Sequence, residues 1–335
     1  MKKWMIVFVI VCVLGFTFVV WPAPAANQIT LKIATIAPKN TDLLDALDEV
    51  DKELRQRTDG RVGLRVYPGG VMGNDADVMR RMRTGQLHGS TFTAGGLRTI
   101  DSNYQALTMP MLFRSYEEVD AVRAKFEQRL TQQLEAKGMV SFGMMETGFA
   151  YMMSTKPLHT LEDLRGRKIW VPEGDVVGER VFRKLGVPPV YRPISDVLTG
   201  LQTGLLDTVT NSPVGTILLQ WFTKVDYVVD NPLLYTYGTI GIPTNAWNKI
   251  PAADRPVVRE VFNRLAKRIN QQTRQSNAEA RETLKKEGLK FIRINDSELP
   301  KMEKLAREAI DDIVAEGKFD GALVNEIRAT VQAMR

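Results

Sequence analysis

Few side chains in this chain of 335 residues have the chemistry that catalysis requires. The only two histidines, His88 in GQLHGS and His159 in PLHTLEDL, have neither the spacing of zinc ligands nor that of a catalytic triad. The single cysteine, Cys12, lies in an apolar run near the amino terminus, so the rest of the chain has no thiol. The glycine pairs at 69–70 and 95–96 stand alone and are typical of turns rather than phosphate-binding loops. We therefore expect no catalytic residue, no metal and no cofactor, and we favour a binding protein over an enzyme.

The segment at residues 160–172, TLEDLRGRKIWVP, carries the most specific signal in the sequence. It resembles the "PeDLkGlKiRvP" signature of the substrate-binding proteins of tripartite ATP-independent periplasmic (TRAP) transporters, the DctP-like family. Four more segments are similar to that family in the same order, and together they cover nearly all of the chain after its amino-terminal segment. They are TDGRVGLRVYPGGVMGNDADVMRRMRTGQLHGST, LTMPMLFRSYEEVDAV, KLGVPPVYRPISDVLTGLQTGLLDTVTNSP and TNAWNKIPAADRPVV.

The resemblance places four positions in a ligand cleft. Family members keep an arginine before the Val-Pro of the signature, and its guanidinium holds a substrate carboxylate in a two-pronged ion pair. That position is Trp170 here, and an indole has one donor and no charge. The second family arginine, twenty residues earlier, corresponds to Ala150. The apolar cleft position corresponds to Ile194, and the asparagine that hydrogen-bonds the ligand corresponds to Asn211.

These substitutions change the ligand that we expect. A carboxylate enclosed by Trp170, Ala150 and Ile194 would lose several kcal/mol of solvation without a compensating charge. A large indole face instead suits an aromatic, aliphatic or lipid-like ligand, or a cation resting on the ring. The alternative is that Trp170 turns into the core of its lobe, because residues 168–172 read as a strand with alternating faces.

Other residues could also line the cleft. A one-residue shift of the family alignment around Ala150 would place Phe149 or Tyr151 at the position of the second arginine, and neither supplies a cation. Small residues at 93–95 would enlarge the pocket. A relocated arginine would restore the binding of an organic acid. The additional candidates are Phe149, Tyr235, Tyr237 and Thr93 for ligand contacts, with Arg192 ahead of Arg98 and Arg114 as the relocated cation.

The elements that must position these residues alternate between strand and helix. Residues 29–36 and 61–67 are β-branched and alternate in polarity, which predicts strands, whereas residues 43–58 and 75–84 have helical spacing. This βαβα order predicts an open, mainly parallel sheet with its ligand crevice at the carboxyl ends of the strands.

The resemblance extends this α/β prediction to a two-lobed, type II-like periplasmic binding protein with a cleft between its lobes. It implies a first lobe formed mainly by residues 26–149, a second formed mainly by 150–240, and returning segments with carboxyl-terminal helices over 241–335. The sequence offers a long lobe-spanning helix at about 252–287, with Pro251 at its start and Gly288 at its end.

The amino-terminal segment Met1–Ala25 reads as a signal peptide. Lys2 and Lys3 precede an apolar run over residues 5–20, and Ala23-Pro24-Ala25 fits a cleavage site before Ala26. We therefore expect export to the periplasm. A retained membrane anchor is the alternative, although the apolar run is short for spanning a bilayer.

The surface charge argues against a nucleic-acid partner. The formal net charge is +6, but the basic residues are interspersed with many acidic ones and form no dense basic block. The resemblance implies two kinds of partner, a small-molecule ligand and the large and small TRAP membrane subunits. A periplasmic sensor or scaffold of the same fold, without transport, is the remaining alternative.

Overall fold

The computed structural model of the chain describes residues 28–335, so the expected signal peptide lies outside the described residues. The helices of the first part of the chain are α1 (Asp42–Arg57), α2 (Asp75–Arg83), α3 (Tyr116–Ala136), α4 (Val176–Lys184), α5 (Val197–Gln202) and α6 (Pro213–Leu218). Those that follow are α7 (Thr244–Trp247), α8 (Arg255–Lys286), α9 (Leu299–Ala315) and α10 (Gly321–Gln332).

The two strands that the sequence pattern predicts at 29–36 and 61–67 begin at Ile29 and Val62. In the first half of the chain the strands are β1 (Ile29–Ala34), β2 (Val62–Tyr67), β3 (Gly89–Thr93), β4 (Met139–Ser141), β5 (Met145–Ser154) and β6 (Trp170–Pro172). The remaining strands are β7 (Val190–Arg192), β8 (Thr208–Asn211), β9 (Tyr227–Val229), β10 (Leu234–Pro243) and β11 (Lys290–Ile292).

The main sheet is mixed, which corrects the expectation of a mainly parallel one. Its strand order is β11-β9-β5-β10-β3-β1-β2, with β4 also paired to β10 and β8 to β5. Strand β1 is parallel to β2 and β3, as the βαβα pattern predicts, but β5 and β10 are antiparallel to every strand that they pair with. The reason is that the chain leaves the first lobe on β5 and returns on β10 in the opposite direction. The periodicity of a single segment does not show in which direction its strand runs in the sheet.

Four apolar clusters form the interior of the two lobes. The first lobe contains two of them, one around Leu97, Phe126 and Tyr235 and one around Leu31, Val140 and Phe262. The second lobe contains the other two, one on each side of its sheet. Met152 belongs to one of these and Met153 to the other, because successive side chains of a strand point to opposite faces.

Helix α8 packs on both lobes. Its amino-terminal half buries Val258, Val261, Phe262 and Leu265 in the first-lobe core, and Leu284 near its carboxyl end is buried in the second. It begins at Arg255, three residues later than the predicted 252. It ends before Gly288, whose positive φ of 95° is a conformation that favours glycine after a helix.

A buried ionic network holds the start of β5 against α3 and α8. The carboxylate of Glu146 is 3 % exposed and lies between Arg123 and Arg274, at 2.6 and 2.7 Å. Arg123 also donates to the carbonyl of Met144 at 2.9 Å, and Asn270 donates to the same carbonyl at 2.8 Å. Each charged group therefore has partners where the chain passes from one lobe to the other.

No helix among residues 28–335 combines the length and the apolarity that crossing a membrane would require.

Candidate functional site

The two lobes meet across a crevice at the ends of β3 and β6. Arg98, just after β3, places its guanidinium against the backbone of Gly174, just after β6, so that a Cβ built on Gly174 would lie 1.9 Å from Nη2. Val177, in the first turn of α4, belongs to the same apolar cluster as Leu97 of the first lobe. The two lobes are therefore in contact across the crevice.

Strands β5 and β8 present the second-lobe wall of this crevice. Tyr151 of β5 is directly opposite Asn211 of β8, and such pairs project from the same face of a sheet. Ala150 projects from the other face, is 2 % exposed, and follows the direction of Met152. Three residues were considered for the position of the second family arginine. Of these, Phe149 and Tyr151 share a face with Asn211, and Ala150 does not.

Trp170 lies on the Asn211 side of the second-lobe sheet but is covered by other side chains. The indole packs edge to face against Trp221, with 5.1 Å between ring centroids, and is 5 % exposed. Its N–H donates to the carbonyl of Arg192 at 2.9 Å. In this conformation Trp170 is part of the apolar cluster that also contains Val209.

Asn211 has an unused donor. Its Oδ1 accepts from the backbone N–H of Ser212 at 2.8 Å, whereas Nδ2 is buried and has no hydrogen-bond partner among the described residues. A buried amide without a partner costs free energy, so this N–H₂ group is suited to an acceptor on a ligand.

Phe149, Tyr235 and Tyr237 form an aromatic group in the first-lobe core. The ring of Phe149 lies 6.0 Å from that of Tyr235, which stacks on Tyr237 at 5.8 Å. The Tyr237 hydroxyl donates to the carbonyl of Tyr104, and the Tyr235 hydroxyl accepts from Arg123 at 3.4 Å. Burial raises the pKa of both tyrosines well above the usual value, so both stay protonated. Their hydroxyls are engaged inside the lobe and do not lie beside Asn211.

The remaining predicted contacts lie nearer to solvent. Ile194 is partly exposed and packs on the Trp170 cluster, and Thr93 is exposed at the end of β3 with its Oγ1 accepting from Gly96 at 3.1 Å. Arg192 is exposed, and its guanidinium donates to the carbonyl of Tyr191 at 3.1 Å. Arg114 forms an ion pair with Glu303 at 2.7 Å.

The structure brings two further cations to this region, of which sequence reasoning did not identify Arg281. Arg281 of α8 lies 5.8 Å from the centre of the Tyr151 ring and is ion-paired with Asp230. Arg98 was only a secondary candidate; it packs against the backbone of Gly174 and donates to the carbonyl of Gly95 at 3.3 Å. Arg281 therefore already faces a carboxylate of the protein. The positions of both cations depend on contacts between segments far apart in sequence, which no motif records.

The histidines have structural roles in the described part of the chain. Nδ1 of His88 lies 3.1 Å from the carbonyl of Thr30, and Nδ1 of His159 lies 3.0 Å from the carbonyl of Arg293. Burial lowers the pKa of His88. Residues 28–335 contain no group of three or more His, Cys, Asp or Glu side chains that could hold a metal ion.

One open cavity of about 380 Å³ lies away from the crevice. It is enclosed by the 109–112 loop and by α9 and α10, and no predicted ligand contact lines it. Two of its three arginines are paired with carboxylates, Arg335 with Glu118 at 2.8 Å and Arg328 with Asp311 at 2.6 Å.

Comparison with known proteins places this architecture in one family. Residues 33–317 match the model of DctP, described as bacterial extracellular solute-binding protein, family 7. A solute-binding protein of Roseobacter denitrificans is 26 % identical over 276 residues, covering 82 % of this chain and 84 % of the relative. The C4-dicarboxylate-binding periplasmic protein DctP of Rhodobacter capsulatus is 23 % identical over 271 residues, covering 78 % and 79 %.

A solved structure shares the fold. The TRAP periplasmic solute-binding protein of Xanthobacter autotrophicus, with bound β-D-galacturonate, superposes with a TM-score of 0.81 at 21 % identity. The match covers 89 % of this chain and 99 % of that protein, which confirms the two-lobed α/β architecture.

Proposed function

The chain belongs to the DctP family, family 7 of the bacterial extracellular solute-binding proteins, and on this basis we propose that it is the periplasmic binding component of a TRAP transporter. It is a binding protein and not an enzyme. It captures one small molecule between its lobes and delivers that molecule to the large and small membrane subunits. A cleaved signal peptide at Met1–Ala25 places it in the periplasm.

We propose further that the ligand is a neutral apolar or aromatic molecule, although relatives of this chain bind C4-dicarboxylates and β-D-galacturonate. The observation that carries the proposal is the environment of Asn211. Its face of the second-lobe sheet presents Tyr151 and the covered Trp170. Arg281, beside Tyr151, is already paired with Asp230.

The balance of charges decides between the two kinds of ligand. A ligand carboxylate beside Tyr151 would have to break the ion pair between Arg281 and Asp230 or remain unpaired in a desolvated site, and either costs several kcal/mol. A ligand with an apolar body and one acceptor oxygen needs neither. Its body would rest on Tyr151 and Ile194, and its oxygen would accept from Asn211 Nδ2.

The ligand class is tested with the full chain by thermal melting. We expect no stabilisation by succinate or D-galacturonate, and an upward shift with neutral aromatic probes such as indole or benzamide. A ligand at one hundred times its Kd stabilises a protein by about 2.7 kcal/mol, which is a measurable shift. Native mass spectrometry of protein purified gently from its own host identifies any molecule that it retains.

Binding of a dicarboxylate through Arg192 would contradict the apolar-ligand proposal. Micromolar binding of succinate that is lost in Arg192→Ala would mean that the acid-binding charge has moved to Arg192. The apolar-ligand proposal would then be wrong, and the family membership would stand.

A matched pair of variants tests Trp170 itself. Trp170→Phe and Trp221→Phe each remove part of the same buried ring pair, so we expect similar losses of stability. If Trp170 contacts the ligand, only Trp170→Phe also weakens binding. Equal binding by both variants would assign Trp170 to the core alone.

A further inference from the structure

The open cavity between α9, α10 and the 109–112 loop is large enough to hold a small molecule. Its volume of about 380 Å³ lies within the range of roughly 300–1,000 Å³ that is usual for ligand pockets. One wall is a single face of α9, whose lining residues recur at the helical spacing of three and four: Glu303, Ala306, Arg307 and Ile310. Neither Asn211 nor Tyr151 lines this cavity, so an occupant here would be separate from the solute in the crevice.

Much of the lining of this cavity is apolar. Met109 and Ile310 are buried in the first-lobe core, whereas Met111 and Leu112 are partly exposed. Met111 has a positive φ of 59°, which is uncommon for a residue other than glycine, and its N–H donates to the carbonyl of Leu233 at 2.7 Å. This hydrogen bond holds the 109–112 loop against the segment before β10, so the apolar surface of the cavity is already formed.

Four charged side chains line the cavity, and three of them have partners. Glu303, Arg328 and Arg335 each form an ion pair with a group of opposite charge, at 2.6 to 2.8 Å. Arg307 is exposed and forms no ion pair among residues 28–335; its backbone carbonyl accepts from Arg328 at 3.2 Å. The cavity therefore combines an apolar surface with one guanidinium that no described carboxylate neutralises.

We propose that this cavity is a second small-molecule site, which binds a monocarboxylate with an apolar body. The carboxylate pairs with Arg307, because the planar guanidinium fork matches two carboxylate oxygens. The apolar body covers Met111 and Leu112 and is removed from water. An acid without an apolar body would gain only an ion pair with an exposed partner, which is weak. A neutral apolar molecule would leave Arg307 without a counter-charge.

Isothermal titration of the full chain with two acids tests the contribution of the apolar body. Octanoate has both a carboxylate and an aliphatic chain, whereas acetate has the same charge and almost no apolar surface. We expect saturable binding of octanoate that is at least roughly tenfold tighter than that of acetate, because several methylene groups leave water. Absence of saturable octanoate binding, or equal affinities for the two acids, would overturn the proposal.

A matched pair of arginine variants tests the charge. Arg307→Gln should weaken octanoate binding by roughly fivefold, which is the upper end for an ion pair with an exposed partner. Arg83→Gln at the end of α2 is the control, because Arg83 is also exposed and does not line the cavity. It should leave the octanoate Kd unchanged. An unchanged Kd in Arg307→Gln, or equal losses in both variants, would contradict the pairing of the carboxylate with Arg307.

A second pair of variants locates the octanoate in the cavity and not in the crevice. Ala329 of α10 is exposed and lines the cavity, so Ala329→Phe should fill the space and abolish octanoate binding without disturbing the core. Ala322→Phe, on an exposed position two turns earlier in α10, should bind octanoate as the native chain does. Octanoate binding that is lost in Tyr151→Ala but kept in Ala329→Phe would place the acid in the crevice and overturn the proposal.

Discussion

Tyr151 and Asn211 oppose each other directly across β5 and β8, and their side chains leave the sheet on the same face. Tyr151 also packs against the apolar clusters of both lobes. Tyr151 therefore lies where the two lobes meet. Burial raises the pKa of Tyr151, so its hydroxyl is protonated at neutral pH.

We predict that Tyr151→Ala weakens ligand binding by roughly 1–3 kcal/mol, because the ligand loses an aromatic contact surface. Isothermal titration with the molecule extracted from the native protein measures the change. Ala150→Ser is the control, because residue 150 projects from the opposite face of β5 and should leave the Kd unchanged. A larger loss in Ala150→Ser than in Tyr151→Ala would show that the family alignment, and not the sheet register, identifies the contact.

Asn211→Ala should separate binding from stability. Among the described residues, Asn211 Nδ2 has no partner and Oδ1 accepts from the Ser212 backbone N–H, so we expect Asn211→Ala to lower the free energy of unfolding by less than Asn277→Ala does while reducing the stabilisation by ligand. Asn277→Ala is the contrasting variant, because Asn277 bonds to Val214, Thr147 and Thr273 at 3.0 to 3.1 Å. It should lower stability by about 1–3 kcal/mol in urea unfolding. If Asn211→Ala destabilises the ligand-free protein as much as Asn277→Ala does, Asn211 has a structural role.

Gly174→Ala should disfavour closure. The added methyl group would displace the Arg98 guanidinium, and Gly174 also has a positive φ of 78°. Gly186→Ala is a closely matched control, since its φ is 74° and its added Cβ would have no neighbour within 4 Å. Both variants carry similar backbone strain, so the difference in ligand affinity between them reports the contact with Arg98. Equal affinities would mean that the contact does not limit closure.

Glu146→Gln should be strongly destabilising. It leaves Arg123 and Arg274 beside a neutral amide in a site that is 3 % exposed, and breaking a buried ion pair costs about 3–5 kcal/mol. Asp120→Asn removes a carboxylate from the same Arg274, but the Asp120 side chain is 56 % exposed, so the loss should stay below about 1 kcal/mol. Urea unfolding of the two variants measures the difference, and equal losses would contradict the central position of Glu146.

The local elements of the fold could be predicted from sequence because their patterns are local. The spacing of apolar residues in α1 and α8 and the alternation in β1 each reflect burial on one face of a single element. The direction of β10 could not be predicted in this way. Its antiparallel pairing with β5 joins residues more than eighty positions apart, and it turns a parallel half-sheet into a mixed one.

The candidate site could likewise be predicted only in part. Alignment with a family motif identifies which position lies near a cleft, but it does not determine which face of a strand a side chain leaves. Ala150 and Tyr151 are adjacent in sequence and opposite in space. The burial of Trp170 depends on Trp221, fifty-one residues later, and the engagement of the Tyr237 hydroxyl depends on Tyr104. These contacts exist only once the chain has folded.

Helix α8 also constrains how the lobes can move. Its 32 residues form one continuous rod of roughly 48 Å that is buried against the first lobe at Phe262 and against the second at Leu284. A helix under load bends far more readily than it stretches, because stretching breaks its hydrogen bonds in series. The lobes therefore keep a nearly constant separation along this rod, and motion between them is confined to rotation and bending about it. Pulling the protein along the axis of α8 should accordingly meet a stiff response, whereas pulling across the crevice should meet a soft one.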